Sequence, residues 1–295
     1  MSQFLQQLLN GLSLGSTYAV LSLGLAMIYG TLGILNFAYG ELITITGYTM
    51  YFATQAGLSF AAAAALGVIA AAVSSVLMQQ LVFRPLQRAG FVTLLFASFA
   101  LSEVLQGVFR QAVSPRAKGI PLPDALSNTI VLGTLRISTL TIITFVVAMV
   151  ALAVFAVFMR RSRAGLHMRA AALDLTTTRL QGVSAGRVIL LAFALSGTLA
   201  GIAGVLWISR TATVTPSTGA TPILVGFIAV VLGGLGSTVG AVVGGFAFGL
   251  LEVFLEAYLP LGVVPFQFAI ALVAISILLY IRPEGLFGKA VEVKV

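Results

Sequence analysis

Apolar runs long enough to cross a lipid bilayer follow one another along almost the whole chain, and their spacing limits what it can fold into. A helix rising about 1.5 Å per residue needs roughly 20 apolar residues to span ~30 Å of hydrocarbon. Runs of this kind lie at roughly 5–29, 40–56, 58–83, 91–112, 139–160, 186–208, 239–259 and 263–281. The run at 40–56 is short, and a ninth piece at 222–235 is too short for a full crossing. Hydrophobic residues make up 59% of the 295 and charged residues 8%, where soluble domains carry about 25% charged. A water-soluble fold cannot hide that much apolar surface. Lipid leaves no solvent for unpaired backbone, so the spans are expected to be helices, and strand-length alternation suited to a barrel is absent. The expectation is an all-α integral membrane protein with one domain, residues 1–295. It would be a bundle of eight or nine transmembrane helices that includes short or re-entrant segments.

Charge placement orients the bundle. Three polar segments interrupt the runs: Phe83–Gly90, Met159–Arg187 and the tail from Arg282. If all three face the cytoplasm, that side holds eleven of the sixteen Lys and Arg, as positive-inside placement requires. The segment 113–138, with Pro115, Pro121 and Pro123 and a possible hairpin about Gly133, then lies outside. Nine crossings put the N-terminus outside and eight put it inside. The first Lys or Arg is Arg84, so no basic leader precedes the first run, which is expected to be retained. The net charge of +8 sits between apolar runs and implies membrane orientation, not nucleic-acid binding. There is no cysteine, which excludes disulfides and thiolate chemistry. The lone His167 sits among arginines, and no catalytic or metal-binding constellation can be assembled. A phosphate-binding loop is absent too, since PEGLFGKA lacks its first glycine and its final Ser or Thr.

The stretch GTLGILNFAYGE, Gly30–Glu41, breaks the helical pattern and holds the only carboxylate of the first hundred residues. A broken helix exposes backbone groups that need partners. Asn36 can cap such an end, and Glu41 can accept from nearby donors. The stretch is either a capped re-entrant turn or a turn lining a solute path. It loosely echoes GGLGSTVGAVVGG, Gly233–Gly245, and paired glycine-broken segments in two halves of a chain point to transport. Gly236, Gly240 and Gly244 recur every fourth residue, as do Gly197 and Gly201; that spacing lets helices approach closely. Glu103, Glu252 and Glu256 also lie in or beside apolar runs, where a charge is expensive. Glu103 is expected to pair with Arg110 two turns on. Glu252 is expected to be hydrogen-bonded in the bundle, with Glu256 at the interface. In the basic segment Leu166, Leu173 and Leu180 recur every seventh residue. Asp174 can cap a helix Leu175–Gln181 and Gly182 can end it, which suits docking of a soluble partner.

The ordered motifs LNGLSLGSTYAVLSLGLAMIYGTLGILNFAYGEL, RLQGVSAGRVILLAFALSGTLAGIAGVLW, GGLGSTVGAVVGGFAFGLLE and RPEGLFG cover most of the chain. Together they resemble the smaller permease of the branched-chain (hydrophobic) amino acid ABC transporters. The resemblance implies a multi-pass subunit of the bacterial inner membrane that is not an enzyme and needs no cofactor of its own. It implies a second permease, two ATPase subunits that bind ATP, and a periplasmic binding protein that delivers a small solute. Residues 160–187 would be the cytoplasmic coupling loop, with Arg169, Leu173, Asp174, Leu175, Arg179, Leu180 and Gly182 facing the ATPase. Asn36, Phe37, Tyr39 and Glu41 would line the translocation path. The family's first motif commonly reads NFAHGE; Tyr39 here replaces that histidine, removing a titratable group and adding a ring. The main rival is a secondary transporter coupled to protons through Glu41 or Glu103. A membrane enzyme would need convergent His, Asp and Lys, and a passive channel would need no docking helix.

Overall fold

The computed structural model describes residues 2–87, 89–132, 135–173, 178, 180–260 and 262–288. It is an all-α bundle, and its spans fall where the apolar runs predict. Among the described residues, seven helices are long and apolar enough to cross a membrane. These are α1 (Ser2–Leu32), α3 (Phe60–Met78, extended to Leu86), α4 (Phe91–Ala112), α5 (Thr139–Arg161), α7 (Ala185–Thr211), α9 (Thr238–Tyr258) and α10 (Gln267–Ile281, with the turn Val264–Phe266 before it). Two half-length helices, α2 (Glu41–Gln55) and α8 (Ala220–Gly233), complete the membrane part. The amphipathic α6 (Arg163–Leu173) lies at one end.

Local chemistry sets the boundaries. Ser59, Ser138 and Ser237 each cap a helix, accepting from the backbone N–H of Ala62, Leu140 and Gly240, so each supplies a partner for an orphan donor. Arg160 and Arg161 end α5, where cations favour the helix dipole. Pro85 would break an α-helix by removing a donor and crowding the preceding turn. Here the chain widens to a π-helical turn at Gln79–Phe83 just before it, so α3 runs on to Leu86.

The two halves of the chain repeat one plan in opposite directions. In the first, α1 crosses the bundle, the chain turns back at Gly33, and α2, α3 and α4 follow. In the second, α7 crosses, the chain turns back at Ala212, and α8, α9 and α10 follow. Each half-helix leads through a turn with a left-handed glycine, Gly57 (φ 83°) or Gly236 (φ 85°), into a serine-capped helix. Packing repeats as well: α1 lies on α9 and α8, while α7 lies on α3 and α2. Ser22 of α1 donates to the Ala241 carbonyl of α9 at 2.7 Å, and Ser75 of α3 donates to that of Phe193 in α7 at 2.7 Å. This is an inverted repeat of four elements, an organisation typical of transporters. Between the halves stand a small outer region, α5 and α6. The outer region holds the antiparallel hairpin Thr129–Leu132/Leu135–Ser138 and the short pairing of Lys118–Gly119 with Thr213–Val214.

The repeat corrects two sequence expectations. The counterpart of Gly30–Glu41 is residues 212–219, not the glycine-rich Gly233–Gly245. That second motif is the turn into α9, equivalent to Gly57–Ser59. Gly236 is also not a packing position, because its left-handed backbone turns the chain and no atom lies within 4 Å of where a Cβ would stand. Gly240 and Gly244 do pack, against Gly233 and Ala229 of α8, and Gly197 and Gly201 pack against α3. These contacts let the inner helices touch through backbone, which lipid-embedded bundles need in place of hydrophobic driving force.

The two ends of the bundle differ in charge. Arg84, Arg160, Arg161, Arg163, Arg169, Arg187 and Arg282 lie at the end that holds α6, while the N-terminus, the hairpin and the last turn of α7 lie at the other. At the basic end the RPEGLFG motif folds onto the last turn of α8. The Leu286 and Phe287 N–H groups donate to the carbonyls of Leu232 and Gly233, each at 2.9 Å. Two carbonyls that a helix terminus leaves unpaired are thereby satisfied.

Candidate translocation site

The half-helices meet N-terminus to N-terminus near the middle of the bundle. Gly40 and Gly219 touch through their backbones: a Cβ on Gly219 would overlap the Gly40 carbonyl, and one on Gly40 would come within 2.6 Å of the Gly219 oxygen. The Gly219 N–H donates to the Thr44 hydroxyl at 3.0 Å and ties the two ends together. Both helix dipoles thus point their positive ends at one place. The depth follows from Tyr39, whose hydroxyl donates to the Ser196 carbonyl in the middle of α7, while Ser196 donates to Gly24 of α1.

The turn that leads into this junction is held from several sides. Asn36 accepts from the Ala38 N–H at 3.0 Å and caps the 3-10 turn Phe37–Gly40. The Phe37 N–H donates to Ser98 of α4 at 3.2 Å. Glu41, 1% exposed, accepts through Oε1 from Ser102 at 2.9 Å and from Gln106 at 2.8 Å. Its other oxygen, also buried, meets no further hydrogen-bond partner of good geometry among the described residues. Gln106 in turn accepts from Arg110 at 3.1 Å. Ser98, Ser102, Gln106 and Arg110 recur every fourth residue and so form a polar ladder on one face of α4. This ladder is legible in the sequence as four polar positions at helical spacing in an apolar run, although reading the carboxylates alone passes over it.

The structure separates the four residues expected along the path. Asn36, Tyr39 and Glu41 are buried in the bundle, and Phe37 alone reaches the surface. Tyr39 fits against Gly24, where any side chain would run into its hydroxyl. The exchange of histidine for tyrosine therefore bears on the packing of α1 against α7 and not on the exposed surface of the bundle. The Phe37 ring lies between Phe99 of α4, centroids 5.6 Å apart, and Phe227 of α8, 4.8 Å apart. Phe99 is 52% exposed. Glu103, one turn along the same face of α4, is exposed. It forms no ion pair with Arg110, which turns to Gln106 instead. The expected Glu103–Arg110 bridge is thus absent because seven residues set the two side chains two turns, about 10.5 Å, apart along the axis, and Gln106, only one turn away, takes the arginine. Glu252 accepts from Tyr18 at 2.8 Å inside the bundle, and Glu256 is exposed near the outer end of α9.

At the basic end, α6 packs on α5 and α7 through Met168 and Ala171, leaving Leu166 and Arg169 outward. Leu180 is 85% exposed and Gly182 is left-handed at φ 82°. Asp174, Leu175 and Arg179 lie outside the described residues, as does the capped helix expected there; the Leu173 side chain is likewise not described.

Comparison with known proteins places this arrangement. A family model described as "Branched-chain amino acid transport system / permease component" matches residues 7–282. The chain is 30% identical to the high-affinity branched-chain amino acid transport system permease protein LivH of Escherichia coli, over 97% of this chain and 96% of that one. It is 32% identical to BraD of Pseudomonas aeruginosa, with the same coverage. The ribose import permease RbsC of E. coli is 26% identical over 84% of this chain and 77% of its own. No solved structure matches significantly. With its lipid-length helices, its inverted repeat and a family match over nearly its whole length, the chain belongs to the permease component family of the branched-chain amino acid transport systems.

Proposed function

We propose that the chain is the smaller permease subunit of an ATP-driven importer of the bacterial inner membrane, carrying branched-chain or similar hydrophobic amino acids. The observation that supports this most is the surface patch of Phe37, Phe99 and Phe227 beside Glu103, level with the junction of the half-helices. A leucine-like solute combines a branched apolar side chain with a zwitterion. Phenyl rings accept the side chain, Glu103 attracts the ammonium group, and the paired helix N-termini favour the carboxylate. A carboxylate exposed in the middle of a lipid-length helix is costly against lipid. A solute path shared with a second permease, a different chain covering α4, removes that cost. Asn36, Tyr39 and Glu41 stand behind the path and hold the turn that presents Phe37.

The basic end faces the cytoplasm by the positive-inside rule, so residues 160–187 meet two ATPase subunits and the outer end, with 113–138, receives solute from a periplasmic binding protein. ATP is held by the ATPases, and this chain carries no cofactor. Arg169, Leu173, Leu180 and Gly182, with Asp174, Leu175 and Arg179, form the coupling surface. ATP-driven closure beneath moves that surface, and the two halves rock about the glycine junction to alternate access.

The test is ATP-dependent leucine uptake by the complex reconstituted in liposomes with its ATPases and binding protein. Phe37→Ala and Glu103→Gln are expected to lower the initial rate about tenfold or more, with ATPase association retained, since both side chains reach the surface. Wild-type uptake in both variants would overturn the proposed path. Full uptake by the wild type on a proton gradient without ATP would overturn the importer.

A further inference from the structure

A cavity lies apart from that surface patch, against α1. It has a volume of about 550 Å³ and is enclosed by α1, α5, α6 and α9 at the basic end of the bundle. Its walls are apolar, formed by Leu23, Met27, Leu152, Phe155, Val239 and Val243. Its mouth carries Arg160 of α5 and Arg169 of α6, and no carboxylate lines it. Ala156 and Val239 are exposed on its open side, which faces the lipid flank of α5 and α9.

We infer that this groove binds an anionic phospholipid of the cytoplasmic leaflet, with one acyl chain between α1, α5 and α9 and the phosphate on Arg160 and Arg169. Depth supports a lipid over a small solute. The lining runs from Leu23 to Thr31 on α1 and from Leu152 to Arg160 on α5. Eight residues at a rise of about 1.5 Å give ~12 Å, close to one leaflet's share of the ~30 Å core. A zwitterionic amino acid would find no carboxylate here to pair with its ammonium group. Charge selects the headgroup: two guanidinium groups at the cytoplasmic interface suit a phosphate, and basic pockets between helices on that side are where anionic lipids are held. The consequence is mechanical. A phosphate shared by Arg160 and Arg169 ties α6 to the floor of the bundle, so the lipid stiffens the segment through which movement of the ATPase reaches the helices.

The experiment uses the whole complex, reconstituted in nanodiscs of phosphatidylglycerol or of phosphatidylcholine, then extracted gently and weighed by native mass spectrometry. The wild type is expected to retain phosphatidylglycerol about tenfold more often than phosphatidylcholine. Arg160→Gln removes one of two charges and should cut that preference about fivefold. Ala156→Trp fills the groove while sparing both arginines, and should abolish retention of either lipid. Equal retention of the two lipids by the wild type overturns the inference, as does wild-type retention of phosphatidylglycerol by Ala156→Trp. Loss of the second permease from Ala156→Trp, with lipid still bound, would show a protein interface and overturn it too.

Discussion

Individual residues in this bundle matter through what they touch across helices. Gly24 and Tyr39 are the clearest pair, because the tyrosine hydroxyl occupies the space a Cβ would need. Overpacking a well-filled interior costs about 1–3 kcal/mol. Gly24→Ala is therefore expected to lower the melting temperature of the detergent-solubilised complex, and adding Tyr39→Phe should restore most of the loss. A double-mutant cycle that shows simple additivity would contradict the contact. Asn36 and Glu41 were legible in the sequence because an amide and a carboxyl in lipid must find partners. The partners themselves were not, since Ser102 and Gln106 lie on a separate helix and only the fold brings them to Glu41. The direction of Tyr39 was illegible for the same reason: it depends on Gly24 and Ser196, which no local pattern joins to it.

At the scale of elements, length and apolarity were enough to place every long span, while the serine caps at Ser59, Ser138 and Ser237 emerge only from the structure. The partner of the first half-helix was harder to find. Residues 212–219 share no motif with Gly30–Glu41, and the glycine-rich run after α8 offered a better match in letters than in structure. On the proposed reading, coupling at this scale rests on the basic segment, where Leu166 and Leu180 are exposed. Leu180 is 85% exposed at the basic end, and on that reading a docked ATPase would cover it. Leu180→Glu should leave membrane insertion and thermal stability unchanged, within about 0.5 kcal/mol for an exposed site. Co-purification of the ATPase subunits should fall about tenfold. Undiminished ATPase recovery from Leu180→Glu would remove the docking role from this segment.

The whole molecule is two opposed copies of one plan joined at a backbone contact, and this sets its topology without appeal to any single charge. Among the described residues, seven long spans become nine passes once α2 and α8 are each counted with the stretch that precedes it. An odd number puts Ser2 and Arg282 at opposite ends of the bundle, and under the positive-inside rule the arginine-rich end, with Arg282, would face the cytoplasm. The chain contains no cysteine, so single cysteines introduced by mutation report position without background. Exposed turns at Ala56, Ala117 and Gly262 belong to the end that holds the N-terminus, and Ser184 and Glu284 to the end that holds α6. A membrane-impermeant maleimide should label Ala56→Cys, Ala117→Cys and Gly262→Cys in cells whose outer membrane has been opened, and Ser184→Cys and Glu284→Cys only in inverted vesicles. Labelling of Ala56→Cys from the cytoplasmic side would mean that α2 does not complete a crossing. The inverted repeat would then fail at its first half-helix, and with it the meeting of two helix ends on which the solute path is built.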